Sequence, residues 1–338
     1  MKVSVIGTGS WGTALACVLA SNAHDICMWT RSQDMADSIN VSHKNLRYLR
    51  DVVLDEKITA STSFELALKN TSAVVVVCPS AILREIACKI KPLISAQCPI
   101  IICSKGVEDK TGLLPIEVFE EVLGNADRIS VLSGPNHAEE VSVGIYSATV
   151  IASSCVQSAK FFVDLFATST FRPYISDDPA GVEICAAYKN VIAIAVGISY
   201  GLGFGDNTAA LIMTRGQAEI SRLVHAFGAN AITCMGLAGS GDLIATCTSV
   251  HSRNRRFGKY LADGKTVEDF TRDTGMIVEG ALACKTLQLL LKKYNVDAPI
   301  ASAIYQVIWE NKDPKRVASL LSERPLNQEF YGITWDAN

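Results

Sequence analysis

The sequence has no C-x-x-C pair, no cysteine pair near a histidine pair at zinc spacing, and no H-E-x-x-H. These absences exclude the common zinc sites and the dithiol redox motif. His137-Ala138-Glu139-Glu140 sets acidic residues beside a histidine without the required spacing, so no metal is expected. The eleven cysteines cannot all pair, being odd in number. Cys17, Cys78, Cys103, Cys185 and Cys284 lie inside apolar runs and read as small buried thiols in a reducing compartment. Neither sign of charge dominates: 31 Lys+Arg oppose 34 Asp+Glu, a formal charge of −3. That balance offers no general attraction to nucleic acid or to a membrane surface. No basic region, apolar stretch and small-residue cleavage site follow one another, so no signal peptide is expected. The most apolar run, Val191 to Leu202, is about a dozen residues against the ~20 of a spanning helix, and reads as a core helix. There is no internal repeat and no low-complexity tract. A cytoplasmic protein with a small-molecule substrate is expected, without nucleic acid or membrane insertion, and a homodimer is left open.

The chain has 338 residues, which at ~150 residues per domain suggests about two domains. Hydrophobic residues make up 49% and charged residues 19%, with a mean hydropathy of +0.24. A sizeable core follows, and extended disorder does not. In the first half, strand and helix alternate. Val3–Ile6, Ile26–Thr30, Val74–Cys78, Ile100–Cys103, Ile129–Leu132, Ala148–Ala152 and Phe171–Ile175 read as strands. The valine run at 74–77 suits a strand buried on both faces. This pattern predicts an α/β fold, a doubly wound, mostly parallel sheet of Rossmann type. After Asp178-Pro179 the strand signal almost vanishes. Ala180–Tyr200, Thr208–Phe227, Asn254–Leu261, Glu279–Tyr294 and Ala298–Glu310 read as helices, with Pro299 suited to a first turn and Gly201, Gly228 and Gly264 to helix ends. A dinucleotide-binding domain over 1–178 and a helical substrate and catalytic domain over 179–338 are expected.

Gly7-Thr8-Gly9-Ser10-Trp11-Gly12 is a G-x-G-x-x-G between the first strand and the first helix, the context that gives the motif meaning. The first glycine allows the tight turn, the second a close approach to a pyrophosphate, and the third close helix–strand packing. The second strand ends in Trp29-Thr30-Arg31, where an NAD-specific site usually has an acid. Arg31 is either a solvated surface charge or a partner for a 2′-phosphate. NADP(H) or NAD(H) is expected as cofactor, with NADP(H) favoured.

Lys189 stands in the apolar run Ala186–Ala193, where a lysine must snorkel, pair or react. Burial disfavours its charged form, which suits a general base. Ser252-Arg253-Asn254-Arg255-Arg256 reads as a serine-capped helix start. Arginines there oppose the helix dipole, so the run is either a generic basic turn or an anion site. Asp242, ending the glycine-rich Gly236–Gly241, either caps the helix that follows or faces Lys189 or a substrate hydroxyl. Lys105-Gly106 ends the strand Ile100–Cys103, where doubly wound sheets bind ligands.

These segments, with Asn45-Leu46-Arg47-Tyr48-Leu49, Ser104-Lys105-Gly106, Ser133-Gly134-Pro135, Lys189-Asn190-Val191-Ile192-Ala193, Gly239-Ser240-Gly241-Asp242-Leu243, Thr246-Cys247-Thr248-Ser249 and Val278-Glu279-Gly280, resemble the bacterial NAD(P)-dependent glycerol-3-phosphate dehydrogenases. The resemblance runs from the first residue to about Tyr331. It implies interconversion of glycerol 3-phosphate and dihydroxyacetone phosphate, which supplies the phospholipid backbone, with Lys189 as proton acceptor. It puts Lys105, Gly134, Asn136, Asp242, Ser252, Arg253 and Asn254 around the substrate, Arg253 and Asn254 on its phosphate. It puts Gly7, Gly9, Ser10, Trp11, Gly12, Arg31, Tyr48, Lys105, Ala138, Arg253, Ile277 and Glu279 on the cofactor. The chain departs from many relatives at Asn136, where they carry Ser or Thr, and at Met276-Ile277-Val278, where they often carry glutamine and valines. Two other classes would share parts of this pattern. One is a lysine-dependent dehydrogenase of the 3-hydroxyacid or 6-phosphogluconate type, which would have less need of Arg253. The other is a non-catalytic NADP(H) sensor, with no use for Lys189, Asp242 and Arg253 together.

Overall fold

Val74, Val75 and Val76 have no exposed surface, the signature of a strand covered on both faces. They lie in the middle of an eight-stranded sheet. The computed structural model describes residues 1–332 apart from Ile277, Asn327 and Phe330. Its strands are β1 (Lys2–Ile6), β2 (Asp25–Trp29), β3 (Lys44–Asn45), β4 (Leu49–Val53), β5 (Ile58–Ser61), β6 (Ala73–Val76), β7 (Ile100–Ile102), β8 (Ile129–Ser133), β9 (Ser147–Ala152) and β10 (Phe171–Ser176). The order across the large sheet is β10-β9-β8-β7-β6-β1-β2-β5, and β3 pairs with β4 in a separate hairpin. All neighbours in the large sheet run parallel except β8 and β9. Between those two the chain forms only the short helix Ala138–Val141. Between β9 and β10 the full helix Val156–Phe166 restores a parallel crossover.

One face of the sheet presents Val3, Val5, Ile26, Met28, Val75 and Ile101 to Leu15, Leu19, Phe162 and Phe166 from the covering helices. From β1 the chain moves outward to β2 and β5, then returns to β6 on the other side of β1. The carboxyl ends of β1 and β6 therefore flank a topological switch point, where such sheets bind ligands. The chain forms two compact units. One is Met1–Lys105 with Leu113–Pro179, and the other is Gly106–Gly112 with the chain from Ala180 onward. The hairpin β3–β4, strand β5 and the helices Gln33–Ser42 and Val156–Phe166 stand outside the elements read from the sequence.

The second unit is helical and built around Pro179–Gly201, in which every residue from Gly181 to Ser199 is buried. Counted from Val191 this segment looks too short to cross a membrane. The full helix is long and apolar enough to do so, but all of it except its two ends is buried inside the fold. Small residues let its neighbours close in. A Cβ on Gly258 would stand 2.7 Å from the Ile198 amide nitrogen and 2.8 Å from the Gly197 Cα, so Arg253–Ala262 meets the central helix backbone to backbone. A Cβ on Gly280 would stand 3.0 Å from the Asn190 carbonyl, which brings Glu279–Lys293 equally near.

Glu219, on Asp206–Phe227, is 1% exposed. It accepts the Ile300 and Ala301 amides at 2.6 and 3.2 Å, which caps the helix Pro299–Trp309. It also accepts the Tyr188 hydroxyl of the central helix at 2.8 Å. Burial pushes its carboxyl from 4.5 up to about 7, with the two amides, Tyr188 and Arg222 pulling the other way. The folded chain thus binds this proton more tightly than the unfolded chain. The associated stability is complete below about pH 4.5 and is lost as pH rises through about 7. Glu219→Gln, which cannot titrate, should remove a fall on the order of 2–4 kcal/mol between those limits. Denaturant titrations at pH 5 and pH 7.5 check this, and an unchanged difference between them in the variant refutes it.

Candidate active site

Within the first unit, β1 ends at Ile6 and the chain turns at Gly7, whose φ of +124° is open to glycine. A side chain at Gly7 would overlap the Val77 carbonyl, and one at Gly12 the Gly7 carbonyl. Gly9 differs, since a Cβ there would meet nothing within 4 Å. Gly9 is also the N-cap of Ser10–Ser21, with no side chain capping that helix. The first amides of the helix therefore face an open cradle lined by backbone, the donor set that suits a pyrophosphate.

Asn45 anchors the segment beside this loop. Its side-chain amide donates to the Thr8 carbonyl at 2.9 Å and the Thr13 hydroxyl at 2.7 Å, and its Oδ1 accepts the Tyr48 amide at 3.1 Å. Tyr48 is 44% exposed with the Arg47 guanidinium over its ring. At the end of β2, the Trp29 indole donates to the Thr62 carbonyl and stacks on Phe64. Thr8 donates to Thr30, and Arg31 follows, exposed, without a salt bridge among the described residues although its charge reaches the Glu85 carboxylate. Its charge reaches the Cys78 thiol beyond β6, which burial pushes up to about 12 and Arg31 pulls back. No acid stands at the end of β2, so these residues fit either a free ribose or a 2′-phosphorylated one.

Lys105 is half-buried after β7, and the Ser104 hydroxyl beside it accepts the Cys78 amide. Gly134 follows β8 so closely packed that a Cβ would stand 2.9 Å from the Thr149 Cα. The Asn136 amide donates to the Ala148 carbonyl at 2.9 Å, while its buried Oδ1 has no hydrogen-bond partner among the described residues. Ala138 opens the short helix after it.

In the second unit, Lys189 is 5% exposed and Asp242 2%. The ammonium donates to the Asp242 carboxylate and, at 2.7 Å, to the Thr246 hydroxyl. Thr246 in turn donates to Asp242 at 3.2 Å. Asp242 is the first residue of Asp242–Thr248, so Asp242 and Thr246 share one face, four residues apart. Lys189 is therefore paired rather than snorkelling, and the Asp242 carboxylate faces it rather than serving as the N-cap, a position held by Gly241. The neighbouring Asn190 Oδ1 accepts the Asn254 amide at 2.9 Å, and the Asn254 Oδ1 accepts the Gly280 amide at 3.0 Å.

Ser252 caps Arg253–Ala262 by accepting the Arg255 amide. The three arginines do different things. Arg255 donates to the Thr248 and Ser249 carbonyls and lies over the Tyr200 ring. Arg256 is exposed. Arg253 is exposed at the first turn and makes no ion pair among the described residues. Glu279 opens its helix, exposed, and Ile277 lies outside the described residues. No group of three metal-ligating side chains occurs among the described residues. Reasoning from the sequence assigned no role to Asn45, Asn190 or Thr246. All three stand inside the quoted motifs, but their partners are far away in the chain.

Two family models match this chain. One, the NAD-dependent glycerol-3-phosphate dehydrogenase N-terminus, matches residues 2–159. The other, the C-terminus of the same family, matches residues 178–319. A glycerol-3-phosphate dehydrogenase [NAD(P)+] from Oceanobacillus iheyensis is 43% identical over 330 residues, 97% of this chain and 96% of that protein. One from Bacillus pumilus is 44% identical over 331 residues, with the same two coverages. The crystal structure of glycerol-3-phosphate dehydrogenase from Coxiella burnetii superposes with a TM-score of 0.92 at 36% identity, covering 96% of this chain and 99% of that one.

Proposed function

The chain belongs to the NAD-dependent glycerol-3-phosphate dehydrogenase family, and on that premise we propose how its own residues carry the reaction. It is an oxidoreductase that interconverts sn-glycerol 3-phosphate and dihydroxyacetone phosphate with NAD(P)(H). Lys189 is the proton carrier. In the reduction the Lys189 ammonium gives a proton to the C2 oxygen, and in the oxidation the neutral Lys189 amine takes the proton of the C2 hydroxyl. The nicotinamide supplies or accepts the hydride. The observation that carries this reading is Lys189 itself, a buried amine inside an apolar helix, held by Asp242 and Thr246. Those two partners fix where the Nζ atom stands, so less orientation is left to the moment of reaction.

Arg253, with the amides of the helix start that Ser252 caps, holds the substrate phosphate. The phosphate is remote from the reacting carbon, so its binding energy serves to position that carbon. Asn254 contributes through its backbone amide, its side chain being spent on Asn190 and Gly280. Gly7, Gly9 and Gly12 with the amides of Ser10 and Trp11 receive the cofactor pyrophosphate. Arg31 receives a 2′-phosphate, which favours NADP(H).

Three substitutions test these roles in the dihydroxyacetone phosphate reduction assay. Lys189→Met should lower kcat by at least about 10²-fold with cofactor KM little changed, and near-full turnover would move the proton carrier elsewhere. Arg253→Ala should cost the phosphorylated substrate roughly 2–4 kcal/mol in kcat/KM, while unphosphorylated dihydroxyacetone changes far less. Equal proportional losses at saturating cofactor would sink the clamp. Arg31→Asp should weaken NADPH relative to NADH by roughly 2–3 kcal/mol, and KM values that move together would remove Arg31 from the 2′-phosphate.

A further inference from the structure

Cys185 and Cys234 are in contact. Their sulfurs lie 3.7 Å apart, and neither residue has exposed surface. Neither is in a disulfide. Cys185 stands on Pro179–Gly201 about one turn before Lys189. Cys234 belongs to the short turn Ala231–Met235, in which Ile232 is 61% and Met235 71% exposed. A single surface turn thus covers the pair.

That turn is also wired to the carboxylate that holds Lys189. The Cys234 carbonyl accepts the Gln217 side-chain amide and the Ser240 hydroxyl. Gly239 packs directly on the Cys234 backbone, so that a Cβ there would stand 2.6 Å from the Cys234 Cα. Gly239 and Ser240 lie in Leu237–Gly241, which runs straight into Asp242. One thiol therefore shares a helix with Lys189, and the other shares a packed turn with its partner.

We propose that hydrogen peroxide converts Cys185 and Cys234 to a reversible disulfide, and that closing this bond draws Asp242 away from Lys189. A disulfide holds its sulfurs at ~2.05 Å, so the pair must close by about 1.7 Å. The central helix is buried along its length, so the displacement falls on the surface turn and, through Gly239, on Asp242. In the first step the Cys234 sulfur attacks a peroxide oxygen. The O–O bond breaks, one water leaves with the thiol proton, and a sulfenic acid remains. In the second step the Cys185 sulfur attacks that sulfur. The S–S bond forms as the S–O bond breaks, and the Cys185 proton leaves with the hydroxyl as a second water. The two thiols lose two hydrogens and two electrons in all, and the peroxide is reduced to two waters. Buried thiols react slowly, so the rate is set by opening of the Ala231–Met235 turn.

The test treats the full chain with hydrogen peroxide, blocks remaining thiols by alkylation, and maps peptides by mass spectrometry without reduction. Cys88, which is exposed, reports that the dose is sufficient. The expected result is a linked peptide pair containing Cys185 and Cys234. In proportion to the linked fraction, kcat should fall on the order of 10²-fold, the scale of an ångström-level misplacement, and dithiothreitol should restore it. Cys234→Ala should keep its kcat through the same treatment. Cys185→Ala serves as a second variant, and the wild-type mapping stands without either. The turnover readout rests on the proposed function, with Lys189 as proton carrier and Asp242 holding it, whereas the mapping does not. Full turnover by Lys189→Met would locate a failure in that assignment. Absence of the linked pair when Cys88 is fully oxidised overturns the disulfide, and a linked protein with unchanged kcat overturns its coupling to Asp242.

Discussion

An ammonium and a carboxylate taken out of water together must be held in good geometry, or their desolvation outweighs their attraction. The pair Lys189–Asp242 sets that demand, and much of the second unit answers it. Lys189 sits on a helix buried along nearly its whole length. Thr246 supplies a hydrogen bond to each charge, so the pair is a three-membered network rather than a lone contact. Rigid surroundings follow from backbone-to-backbone packing at Gly258 and Gly280, which leaves little room for the helices to slide. The same closeness brings the start of Arg253–Ala262, with its capped turn and exposed arginine, against the helix that carries the lysine. One packing solution therefore buries Lys189 and sets the place of Arg253.

Successive residues of a helix point about 100° apart, and Pro179–Gly201 uses this to reach a different neighbour with each polar side chain. Tyr188 goes to Glu219, Lys189 to Asp242, and Asn190 to Asn254. Each contact satisfies a buried polar group that would otherwise be costly. Together they fix the rotation of the helix about its axis, because no other rotation satisfies all three. Cys185, one turn earlier, meets Cys234 by the same logic. Glu219 shows the tension in such a design, since burial raises its proton affinity while three donors require it as an acceptor.

The first unit works with a different currency, backbone amides rather than buried charges. Its glycines are required by overlap: side chains at Gly7 and Gly12 would strike carbonyl oxygens of the neighbouring turn and strand. Gly9 is set apart, with open space where a side chain would be. Asn45 uses both side-chain N–H donors and its Oδ1 within this loop region, tying Tyr48 to the glycine turn. Charge enters at Arg31, which stands exposed just beyond the end of β2.

The alternation of strands and helices, the glycine loop after β1, and the change to helices after Pro179 were legible because each is local. They depend on period, on turn chemistry and on neighbours within a few residues. Lys189 was conspicuous for the same reason, being a charge inside an apolar run. The antiparallel turn of β9, the inclusion of Gly106–Gly112 in the second unit, and the full length of the central helix were not legible in this way. The β3–β4 hairpin is too short and polar to show a period. Asn45, Asn190 and Thr246 looked like ordinary polar residues, because what makes each of them matter is a partner brought near by folding. For Asp242 the sequence alone left open a helix cap, a companion to the lysine or a partner for a substrate hydroxyl. It determined that a carboxylate would stand at the start of that helix. Only the tertiary structure decided which way it faces, because the buried lysine that claims it lies 53 positions earlier in the chain and desolvation makes that pairing worth more than a cap.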